Sequence, residues 1–335
     1  MINTTAAWQE IYDGGSPEAE REIFLALAED LRAVQEANRL KAGTEHPSRT
    51  LHAKMVAGVT NAVLTVDEEL PDDLAVGHFR PGAKIEASLR LSNASGVPQR
   101  DSAPDMRGAA LRLRIAEGGI HDLLMTSFPV SHARNARQFV EFAILAAGDR
   151  ENLIDRLVEK FGPEEAQRMG ANIRQGVRLC SSMAMVSFWS RGAILWGIQP
   201  VRFQLRPLLA TESPTEAQSG PDALRDELAD RLAAGAVRYR FAVQRYVDEI
   251  STPIEDGAVE WTEEVSPPIP IAILDIPQQD LLGAEGREQS KLVDEMKFNP
   301  WNAPPEFRPL GNINRARGVV YARSAEGWSR TAAQG

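Results

Sequence analysis

Two short strings, one near each end of the chain, combine a cation with a side chain that could serve an iron centre. Arg49-Thr-Leu-His52 lies near the amino end and Arg317-Gly-Val-Val-Tyr321 near the carboxyl end. An imidazole with a pKa near neutrality can take up and return a proton, so His52 is a candidate acid–base group. A phenolate is one of the few anionic oxygen ligands that proteins offer to ferric heme, so Tyr321 is a candidate iron ligand.

The spacing of the second string predicts that its cation acts on the phenol. The Asn-rich segment before it suits a helix start, and residues i and i+4 lie on one helical face. A guanidinium within about 4–6 Å favours the ionised form of its neighbour, so Arg317 would hold Tyr321 as phenolate. An isolated Arg-x-x-x-Tyr more often joins a surface arginine to a core tyrosine, and the assignment therefore needs support from the rest of the chain.

The composition limits the classes of protein that the chain could be. With 335 residues, 43% of them hydrophobic, it can bury a sizeable core in one large or two smaller domains. A formal net charge of −10 and scattered arginines argue against nucleic acid as a partner. We expect neither a membrane span nor a signal peptide, and a single cysteine, Cys180, excludes an intrachain disulfide. These features predict a protein of the cytoplasm.

The elements that must position the candidate side chains are helical first and extended afterwards. Ser16-Pro17-Glu18 has the cap, proline and acid of a helix start, so residues 1–45 are predicted to form an amphipathic helical arm. Residues 56–66, 85–92 and 109–115 are apolar or alternating and contain β-branched side chains. They predict strands at short spacing, as in a β-barrel.

Helical and extended segments alternate in the rest of the chain. Residues about 136–175 and 221–235 are predicted to be helical insertions, and the polar stretch 210–220 an insertion loop. The prolines within residues 269–277 favour an edge strand or covering segment over a central strand. The predicted organisation is the arm at 1–45, a barrel at 46–275, and a covering segment and final helix at 276–335.

Eight short motifs are spread over most of the chain. They are Arg49-x-x-His52-Ala-Lys54, Phe79-Arg-Pro-Gly-Ala-Lys84, Leu89-Arg-Leu-Ser-Asn93, Asp105-Met-Arg-Gly108, Asp122-Leu-Leu-Met-Thr-Ser-Phe-Pro129, Ser187-Phe-Trp-Ser190, Pro253-Ile-Glu-Asp256 with Trp261, and Ile276-Pro-Gln278. In this order they resemble the motifs of the catalase family, of the short catalase-related kind. The resemblance implies an α+β fold in which an eight-stranded antiparallel β-barrel with flanking helices binds heme b between a distal histidine and a proximal tyrosine.

The resemblance also implies roles for particular residues. Ser92 matches the serine that fixes the tautomer and ring plane of the distal His52. Arg49 and Arg90 match positions that receive the heme propionates, where a guanidinium fork compensates a buried carboxylate. Phe139 falls where the family places an aromatic ring over the porphyrin. The remaining histidines are expected to be structural; they are His46, His78, His121 and His132.

The chain departs from the family pattern at the distal asparagine, whose position holds Thr126. A hydroxyl is shorter and less directional than a carboxamide, so we expect bound peroxide to be positioned less well. Dismutation of hydrogen peroxide is the activity that this change weakens most. The chain also ends soon after Tyr321, so the interlocked tetramers of full-length catalases need not form. A homo-oligomer of another kind is an open alternative.

These features predict a heme peroxidase or catalase-like oxidoreductase that acts on hydrogen peroxide or organic hydroperoxides, with an organic reductant as second substrate. Two alternatives stay open. Similar short family members rearrange fatty-acid hydroperoxides to allene oxides, which needs a long apolar channel instead of a reductant site. The other alternative is a catalase-like barrel without catalytic activity that binds heme or has lost it.

Overall fold

Antiparallel strands surround one apolar core in the computed structural model, which describes residues 7–43, 49–148, 152–208 and 220–332. The strands are β1 (Met55–Val66), β2 (Lys84–Asn93), β3 (Arg107–Arg114), β4 (Ile120–Thr126), β5 (Phe188–Ser190), β6 (Ile194–Trp196), β7 (Gln199–Pro207), β8 (Val237–Arg245) and β9 (Ile269–Ile276). Their order in the sheet is β5-β4-β3-β2-β1-β9-β8-β7-β6. A further pairing of β5 with β7 closes eight of them into an antiparallel barrel, as predicted.

Helices flank the barrel in the described part of the chain. They are α1 (Pro17–Ala42), α2 (Ala136–Ala147), α3 (Leu153–Phe161), α4 (Pro163–Gly176), α5 (Ala223–Ala234), α6 (Ala284–Glu295) and α7 (Asn312–Ala332). Phe24, Val140 and Ala316 join α1, α2 and α7 in one apolar cluster. Among the described helices, none combines the length and the apolar character that crossing a bilayer requires.

The helix start predicted at Ser16-Pro17 is confirmed. Ser16 Oγ accepts a hydrogen bond from the Ala19 N–H at 3.2 Å, and Pro17 is the first helical residue. The segments predicted as helical at about 136–175 and 221–235 contain α2 to α4 and α5. His46 and residues 210–219 lie outside the described residues, and the division of the chain into three regions stays a prediction.

The prediction for residues 269–277 is wrong. This segment forms β9, which pairs with β1 on one side and β8 on the other and is therefore a central strand of the barrel wall. The prolines are tolerated because they lie near its two ends: Pro270 is the second residue of β9, beside a register shift, and Pro277 follows its last residue. The ladder between them keeps its N–H donors.

Alternation along the strands gives the barrel wall an apolar inner face and a more polar outer face. Leu89, Leu91 and Leu111 belong to the barrel core, whereas Arg90 and Ser92 alternate with them on β2 and face the other way. Both polar residues are nevertheless buried, with 4% and 3% of their surface exposed. One cover of this face is α6, which packs on β1 and β2.

The close approach of α6 to the barrel depends on a glycine of β1. A Cβ atom at Gly58 would lie 2.7 Å from Val293 Cβ, so any larger residue would push α6 away from the barrel. Gly58 is the Cα partner of Arg90 on β2, which places this contact next to a predicted heme-binding residue.

Two of the histidines expected to be structural lie in the aromatic core. His121 Nδ1 is 3.2 Å from His78 Nε2, and the two rings pack against Phe79 and Phe307. Burial lowers the pKa of His121 to about 3 and that of His78 to about 4. Both imidazoles are therefore neutral in the folded protein at neutral pH.

These depressed pKa values predict that the protein loses stability as the pH falls from 7 to 5. In this window the unfolded chain protonates His78 and His121 but the folded chain does not, so each favours unfolding by up to ~1.4 kcal/mol per pH unit. His121→Gln removes one of these groups, and urea unfolding at pH 7 and pH 5 should show a smaller acid loss than in the wild type. An equal loss in the two proteins would contradict this account.

Candidate active site

His52 is held against the end of β2 in a strained conformation. Its φ angle is 58°, in the left-handed region that non-glycine residues rarely adopt. The His52 N–H donates to Ala94 O at 3.0 Å, the next N–H, of Ala53, donates to Ser95 O, and Arg90 Nη2 donates to His52 O at 3.1 Å. These three hydrogen bonds to the main chain hold His52 and Ala53 in place and stabilise the unfavourable φ angle of His52.

The ring of His52 has the predicted serine as its partner. His52 Nδ1 lies 3.0 Å from Ser92 Oγ, and Ser92 has only 3% of its surface exposed. A fixed partner at Nδ1 sets the plane of the ring and leaves Nε2 as the nitrogen for chemistry. Within the described residues no hydrogen bond to Nε2 is formed.

The ring lies over a strand surface that has no side chain. Ser92, Gly108 and Thr126 are consecutive Cα partners across β2, β3 and β4, so they share one face of the wall. A Cβ atom at Gly108 would lie 2.4 Å from His52 Nδ1 and 2.8 Å from Ser92 Oγ. The sequence assigns Gly108 no role beyond its place in the motif Asp105-Met-Arg-Gly108, and that motif is the signal by which the residue could be found.

The register places Thr126 on the same face as Ser92, one strand beyond Gly108. Its Oγ1 donates a hydrogen bond to Phe128 O at 3.3 Å, within its own strand end. The next residue, Ser127, faces the other way: its Oγ accepts a hydrogen bond from the Arg107 N–H. Of these two hydroxyl residues, only Thr126 is therefore on the His52 side of the wall.

Burial and four guanidinium groups hold His52 in its neutral form. Burial lowers its pKa to about 3, and the cations of Arg90, Arg191, Arg317 and Arg49 act in the same direction. Protonation would add a fifth positive charge to the group. The neutral imidazole is the form that can accept a proton, so the site keeps a general base available at all ordinary pH values.

Arg317 and Tyr321 have the relation that their spacing predicts. Both lie on α7, Arg317 Nη2 donates to Tyr321 Oη at 3.1 Å, and Nη1 donates to Asn314 Oδ1 at 3.2 Å. The Arg317 guanidinium also lies 5.4 Å from the centre of the phenol ring. The positively charged guanidinium of Arg317 is therefore in hydrogen-bond contact with the phenol oxygen of Tyr321.

The two motifs from opposite ends of the chain interact electrostatically. Arg49 and Arg317 both lower the pKa of His52, Tyr321 acts electrostatically on Arg49, and Arg317 donates a hydrogen bond to Tyr321. The fold therefore brings the candidate base and the candidate iron ligand into one positively charged region. Such a region can bind an anionic ligand and can accept a proton at neutral His52.

The two arginines predicted to bind propionates share a partner that the sequence did not indicate. Arg49 Nη2 donates to Asp294 O at 2.7 Å and to Met296 O, and Arg90 Nη2 donates to Asp294 Oδ1 at 3.3 Å. Asp294 lies near the end of α6, a helix that was not predicted individually. Its side chain is 55% exposed, so it compensates the buried guanidinium of Arg90 only weakly.

Phe139 is on α2, where its ring centre lies 5.1 Å from that of His132. Its position over a porphyrin stays a prediction. Arg191, which sequence reasoning missed, follows β5 and acts electrostatically on both His52 and His132. No local pattern distinguishes it from the many other arginines.

Comparison with known proteins agrees with this architecture. A sequence model described as catalase matches residues 18–152. A protein named catalase-related peroxidase, from Mycolicibacterium paratuberculosis (strain ATCC BAA-968 / K-10), is 29% identical over 315 residues, which cover 87% of this chain and 92% of the relative.

Solved structures of catalases share the fold. A bacterial catalase aligns with 84% of the chain at a TM-score of 0.65 and 18% identity, and a fungal catalase with 83% at 0.66 and 17%. The chain spans only 57% and 58% of the length of these two proteins. At such low identity the likeness establishes the barrel architecture and not the activity.

The contact between Gly108 and His52 predicts the effect of one added methyl group. In Gly108→Ala the new Cβ would overlap the ring, so His52 should move away from Ser92 while the barrel stays folded. Nitrogen-15 spectra of the ring should show the loss of the single tautomer. Gly235→Ala is the matched control, since a Cβ there meets no atom within 4 Å, and unchanged His52 signals in Gly108→Ala would refute the contact.

Proposed function

We propose that the chain is a member of the catalase family that binds heme b and uses hydrogen peroxide or an organic hydroperoxide to oxidise an organic reductant. The observations that carry the proposal are two hydrogen bonds: His52 Nδ1 lies 3.0 Å from Ser92 Oγ, and Arg317 Nη2 donates to Tyr321 Oη at 3.1 Å. Peroxide cleavage at heme iron uses a proton-transfer group on one side and a protein ligand to the iron on the other, and in catalase that ligand is a tyrosine. This arrangement supplies candidates for both.

The charges of the site fit a ligand with two carboxylates. Arg49, Arg90, Arg191 and Arg317 surround His52, while the ion pair of Arg90 is with the half-exposed Asp294. Arg90 Nε is buried and has no hydrogen-bond partner among the described residues. Buried cations need counter-charges, and the two propionates of heme would supply them. Arg49 and Arg90 would hold these propionates.

On the distal side the proposal assigns proton transfer to His52. When bound, heme supplies the iron at which the peroxide bond is cleaved. Neutral His52 takes the proton from the attacking oxygen at Nε2 and returns it to the departing one, so that water or an alcohol leaves. Ser92 keeps Nδ1 engaged, so the ring cannot rotate away between the two transfers.

On the proximal side the proposal assigns iron ligation to Tyr321. Its phenol oxygen would be the iron ligand, and this oxygen accepts a hydrogen bond from Arg317 Nη2 at 3.1 Å. A location in the cytoplasm and a homo-oligomeric state stay predictions, as do the identities of the peroxide and the reductant.

The central test is Tyr321→Phe. Removing the phenol oxygen removes the proposed ligand, so the absorption spectrum of the heme-supplied protein should change and peroxide-dependent oxidation should be lost. Tyr239→Phe is the control: its hydroxyl donates to Met183 O inside the barrel, and its loss should leave the spectrum unchanged. An unaltered spectrum in Tyr321→Phe would refute the assignment of the ligand.

The distal threonine predicts the balance between two activities. A carboxamide is a longer and more directional donor than the hydroxyl of Thr126, which is already bonded to Phe128 O. Thr126→Asn should therefore raise oxygen release from hydrogen peroxide relative to oxidation of an organic reductant such as a substituted phenol. The near-isosteric Thr126→Val should leave this ratio low. If asparagine leaves the ratio at the wild-type value, position 126 does not control it.

A further inference from the structure

Arg202 presents a buried guanidinium edge that no described residue fills. It lies on β7 with 4% of its surface exposed. Nη1 donates to Val259 O at 3.0 Å, and the guanidinium lies 4.9 Å from the ring centre of Trp261. Nε and Nη2 are buried and have no hydrogen-bond partner in the described part of the chain. Leaving two charged donors unpaired is costly, so this edge is expected to bind something.

The same edge of other arginines in this chain holds carboxylates. Arg112 donates from Nε and Nη2 to the two carboxylate oxygens of Asp122, both at 2.7 Å. Arg315 donates from the same two atoms to the two oxygens of Glu20, at 2.6 and 2.8 Å. The Nε–Nη2 pair is the side-on fork that matches a planar group with two adjacent oxygens. Arg202 has this fork with no carboxylate on it.

Arg202 also lines a cavity of about 40 Å³. Its lining includes Trp189, Arg202, Gln244, Glu260, Trp261 and Glu263. A single water needs roughly 10–15 Å³, so a cavity of this size admits a few waters or a carboxylate group. The two indole side chains give it apolar walls.

The nearby acids do not occupy the fork. Glu260 and Glu263 are exposed, and Glu263 pairs with Arg206. Asp256, which acts on Arg202 electrostatically, pairs with Arg134. Burial lowers the pKa of Arg202 to about 10, so it remains a cation at neutral pH.

We propose that Arg202 binds the carboxylate of a molecule from outside the chain, held bidentately at Nε and Nη2. The ligand is either a free small carboxylate or the carboxylate end of a larger molecule that extends out of the cavity. The site adjoins the distal wall, because Trp189 is the Cα partner of Thr126 on the neighbouring strand. It does not depend on heme or on the function proposed above.

Calorimetric titration of the full-length, heme-loaded protein tests this site. The probes are formate, acetate and benzoate, with chloride as an anion that lacks paired oxygens. We expect saturable carboxylate binding that Arg202→Lys weakens about tenfold or more, because lysine keeps the charge but loses the fork. Arg240 lies on β8 and forms a partly buried ion pair with Asp67; Arg240→Lys is the matched control and should leave the affinity unchanged.

A second variant keeps the test decisive if Arg202→Lys folds poorly. Glu260 is exposed at the cavity, so Glu260→Gln should fold normally and tighten binding about twofold or more by removing a repelling charge. If only formate and acetate bind, the ligand is a free small carboxylate. If benzoate binds as well, the site accepts the carboxylate end of a larger molecule. Absent binding, an affinity unchanged in either variant, or equal binding of chloride would overturn the proposal. A carboxylate that binds at the iron would change the absorption spectrum of the heme, and this change distinguishes it from one that binds at Arg202.

Discussion

The ion pairs of Arg315 fix the helix that carries the candidate iron ligand. This guanidinium is 9% exposed and bonds Glu20 of α1, Glu255 of a loop after β8, and Glu10 near the amino end. Buried ion pairs stabilise a fold only when the charges are fully hydrogen-bonded, and here Nε and both terminal nitrogens are engaged. Because α7 is tied to three distant segments, Arg317 and Tyr321, only a few residues further along, take a defined position against the barrel.

A second constraint is the distribution of charge. The chain carries a formal net charge of −10, yet the region around His52 is lined by guanidiniums. Arg49 and Arg90 are held by main-chain oxygens and by one half-exposed carboxylate, and Arg317 is held by the side-chain oxygens of Asn314 and Tyr321. The region therefore suits an anionic ligand, and the same charges keep His52 neutral. The proposed binding of an anionic ligand and the proposed proton transfer by His52 would thus depend on the same charges.

Backbone strain and close packing also position His52. His52 keeps a left-handed backbone because its neighbours bond the main chain, and its ring finds room because Gly108 has no side chain. Ser92 is buried on the outer face of the barrel wall and completes the arrangement. The face opposite the apolar core is thus where the barrel holds its polar side chains.

Much of this protein could be predicted from its sequence because several features are local. Helical spacing brings Arg317 onto Tyr321, a serine cap starts α1, and alternation marks β2 and β3; each depends on residues only a few positions apart. The order of the motifs pointed to the barrel and to the pairing of His52 with Ser92.

Tertiary structure alone decided the features that depend on long-range pairing. The central place of β9, the share of Asp294 in binding Arg49 and Arg90, and the open edge of Arg202 follow from which strands and helices meet. No local spacing encodes these contacts, since each joins segments far apart in the chain. Local periodicity therefore determined which residues could do chemistry, and barrel closure determined which of them share a site.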